Sequence, residues 1–421
     1  MNLTPEETDI LEGKQGKTLA KVMQTVVTYG ELFGAKRLVT LDKPVHLVTS
    51  FGVTMLKPIY KIMDELIDSG LKAKMPFTVD PRPMDHKNMG DGLLEKLVFK
   101  IVYGKQKTYE QQLKFVGIRD DNAYTCTCYM EEVGNIPDKG DVIAWAESSA
   151  VVYANSVLGA RSNRNSAIID LFCGILGKTP EFGLLIDAGR KASWIIELST
   201  NKLPPAQVLG SAIGIKVQEE VPYIKGLDKL FAGLDEYQKR DYMKDMGAAA
   251  ASNGAVGLFH VENITPEARE KGAELILEKS EAYLIDDLEI VRIKDSYPVL
   301  WKNPEAKPDI CFIGCPHLSI NQLEKWTYSI SKGLQQNNRK KIAVKTIFTA
   351  APDVVEKFRT NKEIYSKFTS TGARLASTCA LMVMSNPLYQ TKNVITNSNK
   401  LRAYTSGRYF NDDEILEMIC Q

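Results

Sequence analysis

Apolar residues recur at helical spacing near the start of the chain, first Leu19, Val22, Met23, Val26 and Val27, then Ile59, Ile62, Met63, Leu66 and Ile67 ahead of Gly70. Each series keeps its apolar positions on one face of a 3.6-residue turn and so predicts an amphipathic helix. Between them and the next periodic stretch lies MPFTVDPRPMDHKN, whose prolines, two of them flanking Arg82, predict an extended or turning loop of the kind that often lines a site. Residues 146–160, AESSAVVYANSVLGA, predict a helix opened by Ser148 or Ser149 and closed at Gly159. The middle third predicts a strand at 193–198, a helix around 208–220, a long helix from Glu236 to Ala251, an apolar strand at 255–261 and a helix started by Thr265 and Pro266. The last third is the clearest strand–helix alternation. DICFIG (309–314) reads as a buried strand, Ser319 with Gln322 as a capping box, 341–350 as a second strand, and PDVVEKFRTNKEIYSKF as one further helix leading to Cys379 and ALMVM. The pattern predicts an α/β protein with mixed or parallel sheets covered by helices, divided near 1–165, 166–290 and 291–421.

Composition adds what the pattern cannot. A chain of 421 residues, 44% hydrophobic and 25% charged, can bury a sizeable core in two or three domains. Lys+Arg 53 against Asp+Glu 52 leaves no basic footprint for nucleic acid. The opening MNLTPEETDILEGKQG is acidic where a signal peptide is basic and then apolar, and no stretch approaches the ~20 apolar residues of a membrane span, so a cytoplasmic protein is expected. In a reducing compartment its seven cysteines are expected to be thiols or ligands.

Several chemistries lack their motif. No GxGxxG opens a helix after a strand, no GxxxxGK[ST] offers a phosphate cradle, and the four histidines form no HExxH. What remains is Cys126 in YTCTCYMEEVGN, Cys315 in DICFIGCPHLS just past a predicted strand end, and Cys379 in ARLASTCALMVM. Taken singly, each reads as a small buried hydrophobe, as Cys173, Cys311 and Cys420 do. A three-thiolate site leaves a metal position open to a substrate, whereas a four-thiolate site is closed. Cys126-Thr127-Cys128 and Cys311-x₃-Cys315 also permit a zinc reading. A second constellation, Glu147, Ser148, Ser149, Asn155, Ser156, Arg161 and Asn163, gathers donors around one helix and reads either as a carboxylate or phosphate receptor or as capping plus solvated polar residues.

At AWAESSAVVYANSVLGARSNRNS, MGAAAASNGAVGLFHVENITPEA, FIGCPHLS and the Thr378-Cys379 pair, the chain resembles the large, catalytic subunit of the aconitase X family over essentially its whole length. The resemblance implies an aconitase-like multidomain fold without the swivelling domain. It also implies a hydro-lyase that removes water from a small hydroxy acid, cis-3-hydroxy-L-proline or mevalonate 5-phosphate. An iron–sulfur cluster on Cys126, Cys315 and Cys379 would act as Lewis acid, with Cys128 as the rival first ligand because it stands where the family has proline. By the same resemblance Ser148, Ser149 and His317 are candidate catalytic residues, and Glu147, Asn155, Ser156, Arg161 and Asn163 candidate substrate contacts. A separate small subunit carrying the swivelling domain is the expected partner, and the base is expected on it. HLVTSFGVTM (46–55) departs from the His-Ile-Ser-Gly-like version of characterised members. The competing readings are a zinc protein and a non-catalytic scaffold subunit of a heteromeric complex.

Overall fold

The computed structural model of this chain describes residues 1–48, 57–89 and 92–421; most of HLVTSFGVTM therefore lies outside the described residues. The first series of apolar positions forms the helix Lys17–Leu32, which buries Val22, Met23, Val26 and Val27. They share a core with Ile169, Leu171, Phe172 and Ile175 of the helix Ala167–Leu176. The second series forms Lys57–Asp68, which buries Met63 and Leu66 beside Leu113 and Val116 of the helix Gln106–Val116. Short strands tie this region together: β1 (Leu38–Thr40) pairs antiparallel with β4 (Lys178–Pro180), and β2 (His46–Leu47) pairs parallel with β3 (Thr78–Val79).

A four-stranded parallel sheet in the order β7-β6-β5-β8 follows, from β5 (Ala192–Ser199), β6 (Pro222–Lys225), β7 (His260–Val261) and β8 (Ile276–Asp286). Against it the helices Ala206–Val217 and Glu236–Gly254 cross so closely that a Cβ on Gly210 would stand 2.1 Å from the Met246 carbonyl oxygen. The strand expected over 255–261 is reduced to its last two residues. Ala255 takes a left-handed conformation (φ 69°) as the helix cap, and Phe259 gives its N–H to the Ser156 hydroxyl at 2.9 Å instead of to a strand.

The last third folds into a five-stranded parallel sheet, β11-β10-β9-β12-β13, formed by β9 (Ile310–Leu318), β10 (Lys345–Ala350), β11 (Arg374–Ala376), β12 (Val394–Thr396) and β13 (Arg408–Tyr409). Central β9 is longer than the sequence predicts, but its ladder with β10 is regular only to Ile313↔Phe348 and resumes at Leu318↔Ala350. Residues 314–317 therefore bulge out of the sheet, and bulges re-aim side chains beside sites. Gly314 (φ 110°) makes this possible, because a Cβ there would lie 2.4 Å from the Thr349 carbonyl oxygen. The Ser319–Gln322 capping box forms as predicted, with both reciprocal bonds at 3.1 Å. The single helix predicted over 352–368 is two, Pro352–Thr360 and Lys362–Ser370, because Asn361 turns its side chain to cap Ile364 N. Among the described residues no helix is long and apolar enough to cross a membrane.

Candidate active site

The β9 bulge carries Cys315 and His317 to a point where two other segments arrive. Cys126 stands in a bend after Tyr124, which bridges to β3, and Thr125 N–H is fixed on the Val79 carbonyl at 2.8 Å. Cys379 caps the short helix Ala380–Met384, and its own N–H is held by the Arg82 carbonyl at 2.8 Å. The proline-rich loop thus lines the site as expected, while the Arg82 guanidinium covers the Tyr124 ring at 3.7 Å and pairs with Glu110.

His317 joins all three segments. Its N–H reaches Cys126 Sγ at 3.3 Å, its Nδ1 meets Thr125 Oγ1 at 3.0 Å, and its Nε2 meets the Thr378 carbonyl at 3.2 Å. A carbonyl only accepts, so Nε2 carries the proton and Nδ1 accepts from the threonine hydroxyl. Burial holds the ring neutral, with its pKa pushed down to about 4. With both nitrogens engaged, His317 braces the three cysteine-bearing segments.

The thiols of Cys126, Cys315 and Cys379 share an electrostatic environment. Burial raises all three, Cys379 to about 12; Cys126 and Cys379 each feel Cys315, and all three feel Lys400. Cys128 does not belong to this group. It is wholly buried beside Thr78 and packs in a core with Tyr129, Ile143 and Trp145. Cys126 and Cys128 were expected to point the same way in a strand; the chain turns here instead, and only Cys126 faces Cys315. Cys173, Cys311 and Cys420 are core residues.

Among the described residues no three His, Cys, Asp or Glu side chains stand close enough to share a single ion. Zinc draws its ligands onto one centre, whereas an iron–sulfur cluster takes its thiolates on separate irons. Three thiols, a backbone N–H on one sulfur and a buried cation form a donor set appropriate to that group.

The helix at 148 supplies the opposite wall. Its cap is Glu147, one residue earlier than predicted, whose carboxylate accepts from Ser149 Oγ and Ala150 N, each at 2.6 Å, and from Lys400. Lys400 also reaches Ser148 Oγ at 3.1 Å. Burial opposes the Glu147 charge, yet Lys400, Ser149 and Ala150 outweigh it and hold the carboxyl at about 2. His46, one strand away, sets Nδ1 on Thr78 Oγ1 at 2.9 Å and feels the Glu147 charge; its buried Nε2 has no partner among the described residues.

The other residues of the expected receptor are elsewhere. After Tyr153 the helix widens into a π turn, Ala154–Leu158. Asn155 Nδ2 bonds the carbonyls of Ser162 and Gly257 at 2.8 and 2.9 Å, and its Oδ1 accepts from Ser162 N and from Arg190. Ser156 holds Phe259 N, Asn163 holds Phe182 O and Leu184 N, and Arg161 holds Leu185 O and Asp187. All four side chains bind this chain to itself, against residues 182–190 or 257–259. Sequence reasoning missed Lys400 and His46. The pattern SNSNKLR around Lys400 reads only as a polar helix start.

Family models match the chain in three consecutive parts: the aconitase X first domain at residues 1–188, second domain at 192–295 and third domain at 308–415. The large subunit of phosphomevalonate dehydratase from Methanosarcina mazei is 32% identical over 97% of this chain and 92% of its own. That from Methanocaldococcus jannaschii is 32% identical over 77% of each. Cis-3-hydroxy-L-proline dehydratase from Pseudomonas aeruginosa is 24% identical over 94% of this chain and 65% of its own. The crystal structure of Thermococcus kodakaraensis aconitase X (holo-form) superposes over the whole of both chains with a TM-score of 0.81 and 28% identity. Three matched domains in order, a shared aconitase-like fold and dehydratases as relatives lead to one conclusion: the chain belongs to the aconitase X family and is a hydro-lyase.

Proposed function

We propose that this chain is the large subunit of a two-subunit dehydratase whose substrate is mevalonate 5-phosphate. The observation that carries the reading is the convergence of Cys126, Cys315 and Cys379, from two separate domains, opposite Glu147, Ser148 and Lys400. The substrate follows from identity: relatives at 32% act on phosphomevalonate by name, against 24% for a hydroxyproline enzyme.

Dehydration breaks a C–O and a C–H bond, and hydroxide is a poor leaving group. Cys126, Cys315 and Cys379 would hold an iron–sulfur cluster, which when bound supplies a Lewis acid for the departing hydroxyl. The chain's own residues supply position. Ser148 and Lys400 offer donors to an acidic substrate, His46 Nε2 has no partner among the described residues, and Glu147 stays ionised to hold Ser149 and Lys400 in register. Two candidates for taking the carbon-bound proton are already engaged: His317 uses both nitrogens, and Glu147 is locked in an ion pair. We assign the base to the small subunit that the name of the large-subunit relatives presupposes, read here as a swivelling domain. Anaerobic co-expression with a small subunit should yield iron- and sulfide-containing protein that dehydrates mevalonate 5-phosphate, while the isolated chain is inactive. Turnover of cis-3-hydroxy-L-proline alone would refute the substrate, and full turnover by the isolated chain would refute the partner.

A further inference from the structure

We propose that Lys400 is a positioning residue of the cluster site: bonded to Glu147 and Ser148 across the boundary between the first and third domains, its ammonium is the counter-charge that the Cys126, Cys315 and Cys379 thiolates share. The inference rests on the iron–sulfur reading above and goes beyond it in assigning what steadies the thiolates.

A lysine side chain has four rotatable carbons, so holding one still beneath the surface requires anchoring at both ends. At the backbone end, Lys400 follows Ser398, which gives its hydroxyl to the Cys315 carbonyl and accepts Leu401 N at 3.1 Å. Asn399 beside it grips Gln207 twice, at 2.9 and 2.6 Å. The turn is thus tied both to the strand bearing Cys315 and to the middle domain. At the head end, the ammonium, with 11% of its side chain exposed, meets a Glu147 carboxylate that is 3% exposed. Each charge would be costly to bury without the other.

The direction of the field gives the pair its purpose. Three thiolates in a low-dielectric site repel one another, and Glu147 and Asp80 add further negative charge near them. Lys400 is a cation felt by all three sulfurs, and it is itself steadied by Glu147, Cys315 and Cys126. Because Cys126 lies in the first domain and Cys315 and Cys379 in the third, the same contact that balances the charge also closes the domain boundary over the ligand set. The net charge around an iron–sulfur cluster is one of the levers on its reduction potential.

The test is iron and sulfide analysis with redox titration of anaerobically purified protein carrying its small subunit. Lys400→Met should lose most of its bound iron and shift the midpoint potential of what remains to a lower value; Lys400→Arg should restore both. Glu147→Gln should shift the potential the opposite way, a sign reversal that general loosening of the fold would not give. If Lys400→Met does not fold, the double variant Glu147→Gln/Lys400→Met leaves no unpaired buried charge, and its potential should fall between those of the single changes. Parent-like iron content and potential in Lys400→Met, or a double variant displaced further than either single, would overturn the proposal. A parent protein without iron and sulfide would instead overturn the cluster reading itself.

Discussion

Cys126 and Cys128 are two residues apart and chemically identical, and what distinguishes them is one backbone N–H and one bend. His317 gives its N–H to Cys126 Sγ, while Cys128 turns into a core beneath Trp145. Cys126→Ser should therefore abolish the visible cluster absorption and the iron content. Cys128→Ser should keep both and lower stability by about 1–3 kcal/mol, because it sinks a hydroxyl into an apolar core. Iron analysis beside urea denaturation of the two variants checks the pair, and the reverse assignment of iron loss would make Cys128 the ligand. The sequence singled out the three cysteine segments through their family resemblance, but which thiol of the first one turns toward Cys315 depended on backbone direction. That direction is set by Thr125 on Val79, a contact across 46 residues that no local pattern encodes. Lys400 was invisible for a related reason: a lysine in a polar helix start reads as solvated until its partner, Glu147, is brought beneath it.

At the level of elements, amphipathic helices and central strands were readable because burial imposes a period on them, and the departures lie where side chains override that period. Asn361 cuts one predicted helix in two, Ser156 takes the N–H that would have extended β7, and in the π turn at Ala154–Leu158 Asn155 bonds the carbonyls of Ser162 and Gly257. The receptor constellation read along one helix is thus split, with Glu147, Ser148 and Ser149 beside Lys400, Asn155 and Ser156 bonded across to the second domain, and Arg161 and Asn163 bonded to residues 182–187 of the first. Asn155 meets the buried Arg190, whose guanidinium is in turn paired with Glu267 at 2.7 Å. Asn155→Ala should consequently cost about 1–3 kcal/mol of stability by leaving these groups unpaired, with KM unchanged. Arg161→Ala, which removes a pair with the largely exposed Asp187, should cost no more than about 1 kcal/mol. Denaturation midpoints alongside steady-state kinetics separate the two; a rise in KM for either would return that residue to the substrate site.

For the whole molecule, one group inside the first domain sets a pH slope that has nothing to do with catalysis. Asp170 is fully buried against the helix Lys17–Leu32, and burial pushes its carboxyl up to about 8 despite a hydrogen bond from Asn165. Folded, it holds its proton to about pH 8; unfolded, it releases it near pH 4, so the native state binds the extra proton between those values and stability falls as pH rises through that window. Asp170→Asn should flatten the slope and raise the melting temperature at pH 8, as calorimetry of both proteins would register; a parallel slope in the variant would mean that other groups set it. The ligand set's division between domains has a further consequence for how the protein is made. A ribosome working at roughly 5–20 residues per second finishes the first domain long before Cys379 exists. The N-terminal domain emerges with Thr125, next to its cysteine, held on Val79, and neither the His317 brace nor the Lys400 counter-charge is present until β9 and the turn after β12 have been synthesised and docked. On the proposed cluster reading, delivery is then deferred until translation is nearly over, and an iron donor that acts on the nascent chain would find one thiol where it needs three.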